Sequence, residues 1–274
     1  MKKNKLFTDK GGIFMKHQPN KLKKKLKEGR ITFGTCIDTF TPGLVELAGF
    51  CGLDFCRIDN EHTWRQDESL DHMMRAAVIG DIVALPRIDK GNPFLIRKVY
   101  EIGAKGFIIP DIQSSDEVKE IIRAAKFPPD GNRGYSGNCF SGGYGTRAGE
   151  EWIKWSNEEL MVGVMIEDRE AIKDIDCIMA LKGLDFVLFG PADYSLNIGL
   201  LAPNKNHPKV QDALKRTIEA AKKNNKYVMI GVGFPWKEEA QKYIDMGCQM
   251  IEIGHDYSIL KTIWTKTLNA SENN

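Results

Sequence analysis

Apolar and polar positions fall into alternating blocks along this chain. Short, unbroken apolar runs are followed by longer stretches with helical spacing. Thr32 to Ile37, Phe55 to Ile58, Ile82 to Pro86, Gly106 to Ile109, Met161 to Ile166, Phe186 to Phe189, Tyr227 to Ile230 and Met250 to Ile253 read as strands. They are apolar throughout, as strands covered on both faces are. Between them lie helices. The first follows Thr41, a candidate N-cap, over Pro42 to Ala48; the next carries Leu70, Met73, Met74, Ala77 and Val78 on one face. Asn92-Pro93 opens a helix stopped at Gly103, and Ser114 with Glu117 forms a capping box ahead of Val118, Ile121 and Ile122. Later helices carry Ala171 to Met179, Val210 to Lys223, Lys237 to Met246, and Ile259, Leu260 and Ile263. A basic segment, Lys21 to Arg30, forms a short helix ahead of the first strand. Two stretches break the rhythm and read as loops: 127–160, rich in Gly, Ser, Asn and aromatics, and 190–208.

Eight strand–helix units predict an α/β fold, a (β/α)8 TIM barrel in one domain over residues 20–268, with tails at 1–19 and 269–274. An open doubly wound sheet is the alternative, but no Gly-rich dinucleotide fingerprint follows the first strand. Met15 is a candidate translation start, because organised sequence begins after it.

Composition narrows the class. The chain of 274 residues is 42% hydrophobic and 28% charged with a formal net charge of +2. That balance suits a globular protein and argues against a nucleic-acid partner. No apolar run approaches the roughly 18 residues of a membrane span, and no apolar signal core follows the basic N-terminus, so a cytoplasmic protein is expected. The cysteines Cys36, Cys51, Cys56, Cys139, Cys177 and Cys248 include no Cys-x-x-Cys pair and are expected as free thiols.

In a barrel the C-terminal strand ends face one mouth, so what each strand delivers there matters. The second delivers Asp59, Glu61 and His62, the third Arg87, the fifth Glu167, and the sixth Asp193 in Phe-Gly-Pro-Ala-Asp. Glu167 and Asp193 offer oxygen ligands only, which suits a hard divalent cation such as Mg²⁺ or Mn²⁺. Such a cation can chelate a 2-oxo acid and stabilise its enolate, with Arg87 neutralising charge and His62, oriented by Asp59, moving the proton. No lysine falls in a strand, which argues against Schiff-base chemistry. Arg133, in the long loop, is a candidate partner for a distal substrate carboxylate, and that loop is expected to close over the mouth. Asp168 reads as a helix cap. Gly231, Gly233 and Gly254 read as tight-turn glycines, with a phosphate pocket as the alternative. His72, His207 and His255 read as structural or surface residues, and Trp152 and Trp155 as packing for the loop or a subunit contact.

Ile-Asp-Asn-Glu-His, Pro-Arg at the third strand, Ile-Glu at the fifth, Gly-Pro-Ala-Asp-Tyr-Ser at the sixth and Pro-Pro-Asp-Gly-Asn-Arg-Gly before the long loop together resemble the HpcH/HpaI family over roughly residues 20–265. The resemblance implies a class II pyruvate aldolase that uses Mg²⁺, Mn²⁺ or Co²⁺ and takes a 2-oxo acid and an aldehyde as small-molecule partners. It implies His62 as base with Asp59 as its dyad partner, Arg87 as enolate stabiliser, Glu167 and Asp193 as metal ligands, and Ala192 with Asp193 at the substrate. It also implies a homo-oligomer, a hexamer or other dimer-based assembly, with the helix from His255 onward exchanged between subunits. Met165 stands where the family often has Gln. Some relatives run a citrate-synthase-like condensation of oxaloacetate with acetyl-CoA, and that is the alternative activity.

Overall fold

In the computed structural model of the chain, which describes residues 17–63, 68–147 and 149–272, eight parallel strands close into one barrel in sequence order. Helix α1 (Lys21–Lys27) precedes β1 (Thr32–Ile37). The chain then alternates α2 (Pro42–Phe50), β2 (Phe55–Asp59), α3 (Ser69–Ile79), β3 (Val83–Arg87), α4 (Pro93–Glu101), β4 (Gly106–Ile109) and α5 (Ser115–Ala125). The second half runs α6 (Glu150–Glu159), β5 (Met161–Ile166), α7 (Arg169–Lys173), α8 (Ile175–Ala180), β6 (Phe186–Phe189), α9 (Pro191–Asn197), α10 (Pro208–Lys223), β7 (Tyr227–Val232), α11 (Trp236–Met246), β8 (Met250–His255) and α12 (Asp256–Glu272). Pairing of β1 with β8, Thr32 opposite Met250, closes the sheet and excludes the open alternative. Met15 lies outside the described residues. No helix among the described residues is long and apolar enough to cross a membrane.

The apolar strands serve two cores. Their outward side chains pack under the helices, and their inward ones fill the barrel: Phe55, Leu85, Met161, Phe186, Met229 and Met250. Gly34 and Gly163 make room inside, since a Cβ at either would strike the ring of Phe55 or Phe186. Helix α1 closes the N-terminal end. Asn20 caps it by accepting from the amides of Leu22 and Lys23 at 3.1 and 3.2 Å, and its side-chain amide donates to Lys105 and Glu159 carbonyls. This turns Leu22 and Leu26, 1% and 2% exposed, into the barrel. Leu26→Ala removes that plug and should lower the unfolding free energy by about 2–5 kcal/mol, read from urea unfolding; a loss within error would mean that α1 is not part of the core.

Several expectations change. Two of the stretches read as loops contain helices. Pro191 starts α9 directly after Gly190, and α6 forms with Glu150 and Glu151 in its first turn and Trp152 and Ser156 buried. Val78 is 48% exposed while Ala76 is buried, so α3 is rotated from its expected face. Thr41 makes no side-chain cap bond, whereas Asn92 and Ser114 do. Helix α12 runs to Glu272, past the point where a tail was expected.

The loop after α5 does not cover the mouth of its own barrel. A segment leaving the C-terminal end of a helix in this fold returns to the N-terminal ends of the strands, and this one stays there. The Ser141 amide donates to Glu101 O at 3.1 Å, and the Phe140 ring lies against Gly103 at the end of α4. Arg133 is 4% exposed within an aromatic cage, 4.5 Å from the Phe127 ring centre, 4.9 Å from Tyr100 and 5.7 Å from Trp152. Among the described residues its guanidinium nitrogens have no hydrogen-bond partner, so ring faces take the place of acceptors. The expectation that Arg133 reaches substrate is therefore corrected: within this chain it packs the outer layer.

Candidate active site

The C-terminal ends of β2, β3, β5 and β8 carry an inward-facing layer of charge above the apolar filling. Asp59 and Arg87 end β2 and β3 opposite each other in register. Asp59 is 2% and Arg87 4% exposed. The Arg87 guanidinium grips the Asp59 carboxylate with a fork, Nε to Oδ1 at 3.0 Å and Nη2 to Oδ2. Its third nitrogen, Nη1, faces Glu61 at 2.8 Å and the Met165 sulfur at 3.5 Å. Burial alone would raise the Asp59 carboxyl. The Arg87 hydrogen bonds and the Arg87 and Arg57 charges more than offset it and hold the pKa at about 2.

Because Asp59 is committed to Arg87, it does not form the expected dyad with His62. It accepts from the Glu61 amide at 3.0 Å and approaches His62 only at its backbone N, 3.5 Å away. The His62 side chain is 65% exposed, with Nε2 3.8 Å from Glu61. Two arginines outcompete one imidazole for a buried carboxylate, because the cation–carboxylate attraction is present at every pH where the acid is ionised.

Glu167 follows β5 and is 5% exposed. Its Oε1 accepts from the Asp111 amide at 3.0 Å, and Oε2 lies where a side chain on Gly190 would have to stand. Burial pushes its pKa to about 7; the Asp193, Asp111 and Glu61 charges push the same way against the one amide bond. Glu167 and Asp193 are thus brought to one electrostatic neighbourhood. Asp111 is an additional acid there that the linear pattern did not reveal. It follows β4 with φ 55, a left-handed conformation that Asp tolerates better than most residues. Ala192 and Asp193 stand in the first turn of α9, both exposed.

A second cluster occupies the β1, β2 and β8 side of the mouth. Arg57 forks onto Glu252 at 2.7 and 2.9 Å, and its Nη1 lies 3.8 Å from Asp59. His255 Nδ1 is 2.9 Å from Asp38 Oδ2, and Nε2 is 3.3 Å from Arg57 Nη2. His255, read from the sequence as a structural or surface residue, thus has a carboxylate partner at the mouth. The cause is local: register between β1 and β8 slips between Gly34 opposite Glu252 and Cys36 opposite His255. Strict alternation from an inward Glu252 would send His255 outward. The bulge, with Gly254 at φ 76, turns it in. Cys36, Glu252 and His255 come close enough to share an ion, but Arg57 already occupies Glu252 and faces His255, placing fixed positive charge there.

The other expectations are placed more simply. Asp168 caps α7, donor Glu170 N at 2.7 Å, and His207 caps α10. The six cysteines are free. No strand among the described residues contains a lysine, and buried Lys126 lies outside the barrel, donating to the carbonyls of Asn157 and Leu160.

Comparison with known proteins identifies the family. The family model described as HpcH/HpaI aldolase/citrate lyase matches residues 34–262. A 5-keto-4-deoxy-D-glucarate aldolase of Klebsiella pneumoniae subsp. pneumoniae is 26% identical over 252 residues, 92% of this chain and 96% of that protein. Among solved structures, an HpcH/HpaI aldolase from Desulfitobacterium hafniense DCB-2 superposes with a TM-score of 0.84 at 29% identity, covering 92% of this chain and 97% of the other. Citrate synthase SbnG superposes with a TM-score of 0.81 at 27% identity, covering 93% and 98%. The chain belongs to the HpcH/HpaI aldolase/citrate lyase family and is a carbon–carbon lyase.

Proposed function

We propose that the protein is a divalent-metal-dependent aldolase that cleaves a 4-hydroxy-2-oxo acid to pyruvate and an aldehyde, and runs the reverse condensation. The observation that carries this reading is the buried Glu167 carboxyl beside Asp193 and Asp111, with its pKa raised to about 7. Crowded, desolvated carboxylates with oxygen donors only are relieved by a hard cation, so Mg²⁺, Mn²⁺ or Co²⁺ fits the residues present. Glu167 and Asp193 would hold it. When bound, the cation supplies Lewis acidity toward the keto and carboxylate oxygens of the 2-oxo acid.

The chain's own groups do the rest. Arg87, fixed by Asp59, sets positive charge beside Met165 where the enolate oxygen of pyruvate develops its charge. Ala192 and Asp193 bring first-turn backbone amides of α9 toward the substrate carboxylate. His62, next to Glu61 and open to water, moves the proton at the pyruvate methyl carbon. The name of the sugar-acid relatives supports the substrate class: 5-keto-4-deoxy-D-glucarate, numbered from its keto end, is itself a 4-hydroxy-2-oxo acid. Apolar residues on α12, Tyr257, Leu260, Ile263, Trp264 and Leu268, are exposed and support exchange of this helix within a dimer-based homo-oligomer.

The test is deuterium exchange into pyruvate in D₂O, with Mg²⁺ or Mn²⁺ and then with chelator. Exchange that chelator abolishes is expected. The second reading, condensation of oxaloacetate with acetyl-CoA, is favoured by Met165 against Arg87 and by the likeness to citrate synthase SbnG. It requires thiol release from acetyl-CoA without chelator-sensitive exchange.

A further inference from the structure

Aldol cleavage needs two proton transfers at two places. One adds a proton to the carbon that becomes the pyruvate methyl group, and the other removes the proton of the hydroxyl that becomes the aldehyde oxygen. Glu167, Asp193, Arg87 and His62 gather on β2, β3, β5 and β6, at the pyruvate half. In a closed ring of eight strands, β1 lies opposite β5, and β8 lies beside β1. A substrate whose 2-oxo acid end is held at β5 and β6 extends its hydroxyl end across the mouth toward β8 and β1.

What stands there is a built proton-handling pair. Asp38 accepts from Nδ1 of His255 at 2.9 Å, which fixes the ring orientation and leaves Nε2 as the atom free of Asp38. Arg57 Nη2, 3.3 Å from Nε2, can only donate, so in the neutral ring Nε2 is the acceptor of this contact, and a substrate hydroxyl that gives Nε2 its proton takes the place of that donor. Asp38 is itself held in place. The Cys36 thiol donates to its other oxygen at 3.2 Å, and Asp256 accepts from the amides of Asp38 and Thr39 at 3.1 Å each. The His255 side chain is 42% exposed while Arg57, Glu252 and Cys36 are buried, so the imidazole is the member of the cluster that meets the mouth. The register slip at Gly254 turns it there, and bulges next to active sites commonly re-aim a side chain in this way.

We propose that His255, oriented by Asp38, is the catalytic group for the aldehyde half: Nε2 takes the hydroxyl proton during cleavage and returns it during condensation. The assignment rests on the aldolase reading above and adds a residue to it. In cleavage the O–H pair becomes the second bond of the aldehyde carbonyl, the C3–C4 pair stays on C3 as the pyruvate enolate, and the proton on Nε2 passes to water. Condensation reverses each step, so atoms and electrons balance without a further reactant. Asp38 is a positioning residue.

The experiment compares two rates on the metal-loaded protein, its His255→Gln variant and its Asp38→Asn variant. Deuterium exchange into pyruvate needs only the pyruvate half. Condensation of pyruvate with glycolaldehyde, glyceraldehyde or succinic semialdehyde needs both halves. His255→Gln should exchange near the unaltered rate while condensation with every aldehyde falls on the order of 10²-fold or more. Asp38→Asn should show the same split with a smaller loss. Parallel loss of both rates in a protein that still melts cooperatively, or retention of both, overturns the assignment. If His255→Gln does not fold, the Asp38→Asn split decides. An unaltered protein that shows no exchange would overturn the aldolase reading, and with it this one.

Discussion

Arg87→Met is expected to cost about 3–5 kcal/mol of stability, because it leaves the Asp59 carboxylate buried without its principal partner. Arg57 remains at 3.8 Å but is already forked onto Glu252 and cannot replace it. The double variant Asp59→Asn, Arg87→Met removes both charges and should recover much of the loss. Urea unfolding with a common slope measures both. A single change that costs less than about 1 kcal/mol would place the pair among ordinary surface ion pairs and sink the argument. Activity should not recover with stability. The cleavage rate should stay on the order of 10²–10³-fold down in both proteins, since the positive charge proposed to face the enolate oxygen is gone in both.

Glu167→Gln has the other large expected effect, and its sign in stability is opposite. The folded-state pKa of Glu167 is about 7, above its ordinary 4.5. Between those values the folded protein holds a proton that the unfolded chain has released. Stability of the metal-free protein therefore falls as pH rises through that window, by about 3 kcal/mol from this group, and is flat above it. Glutamine keeps the shape and lacks the charge. In chelator the variant should be the more stable protein above pH 7 and should lose the pH 4.5–7 decline, while its cleavage rate falls by on the order of 10³-fold or more. Unfolding midpoints of the two proteins across that range provide the measurement; parallel curves would mean that the raised carboxyl is a different one. Asp59 does not confuse the comparison. With a depressed pKa of about 2, its contribution is present above the ordinary carboxylate range and lost only as pH falls through that lower value.

What the residue pattern alone determined follows from periodicity. Unbroken apolar runs separated by helical faces are compatible with few architectures, and eight of them at this length predict the barrel that forms. The same logic placed Asp59, Arg87, Glu167 and Asp193 at strand ends, because a polar residue that ends a buried run has only the barrel mouth or the loop beyond it to occupy. Linear order could not say which of those groups would pair. Asp59 lies three residues from His62 and twenty-eight from Arg87 in sequence, yet it binds the arginine, since the parallel pairing of β2 and β3 sets the two side by side and charge decides between competitors. Arg133 was misplaced for a related reason: a guanidinium in a polar loop suggests an anion, and only the course of the chain after α5 turns it into an aromatic cage. His255 depended on the tertiary structure most of all. One slipped residue between β1 and β8 reverses the face of every side chain beyond it, and no alternation of apolar and polar letters records such a slip.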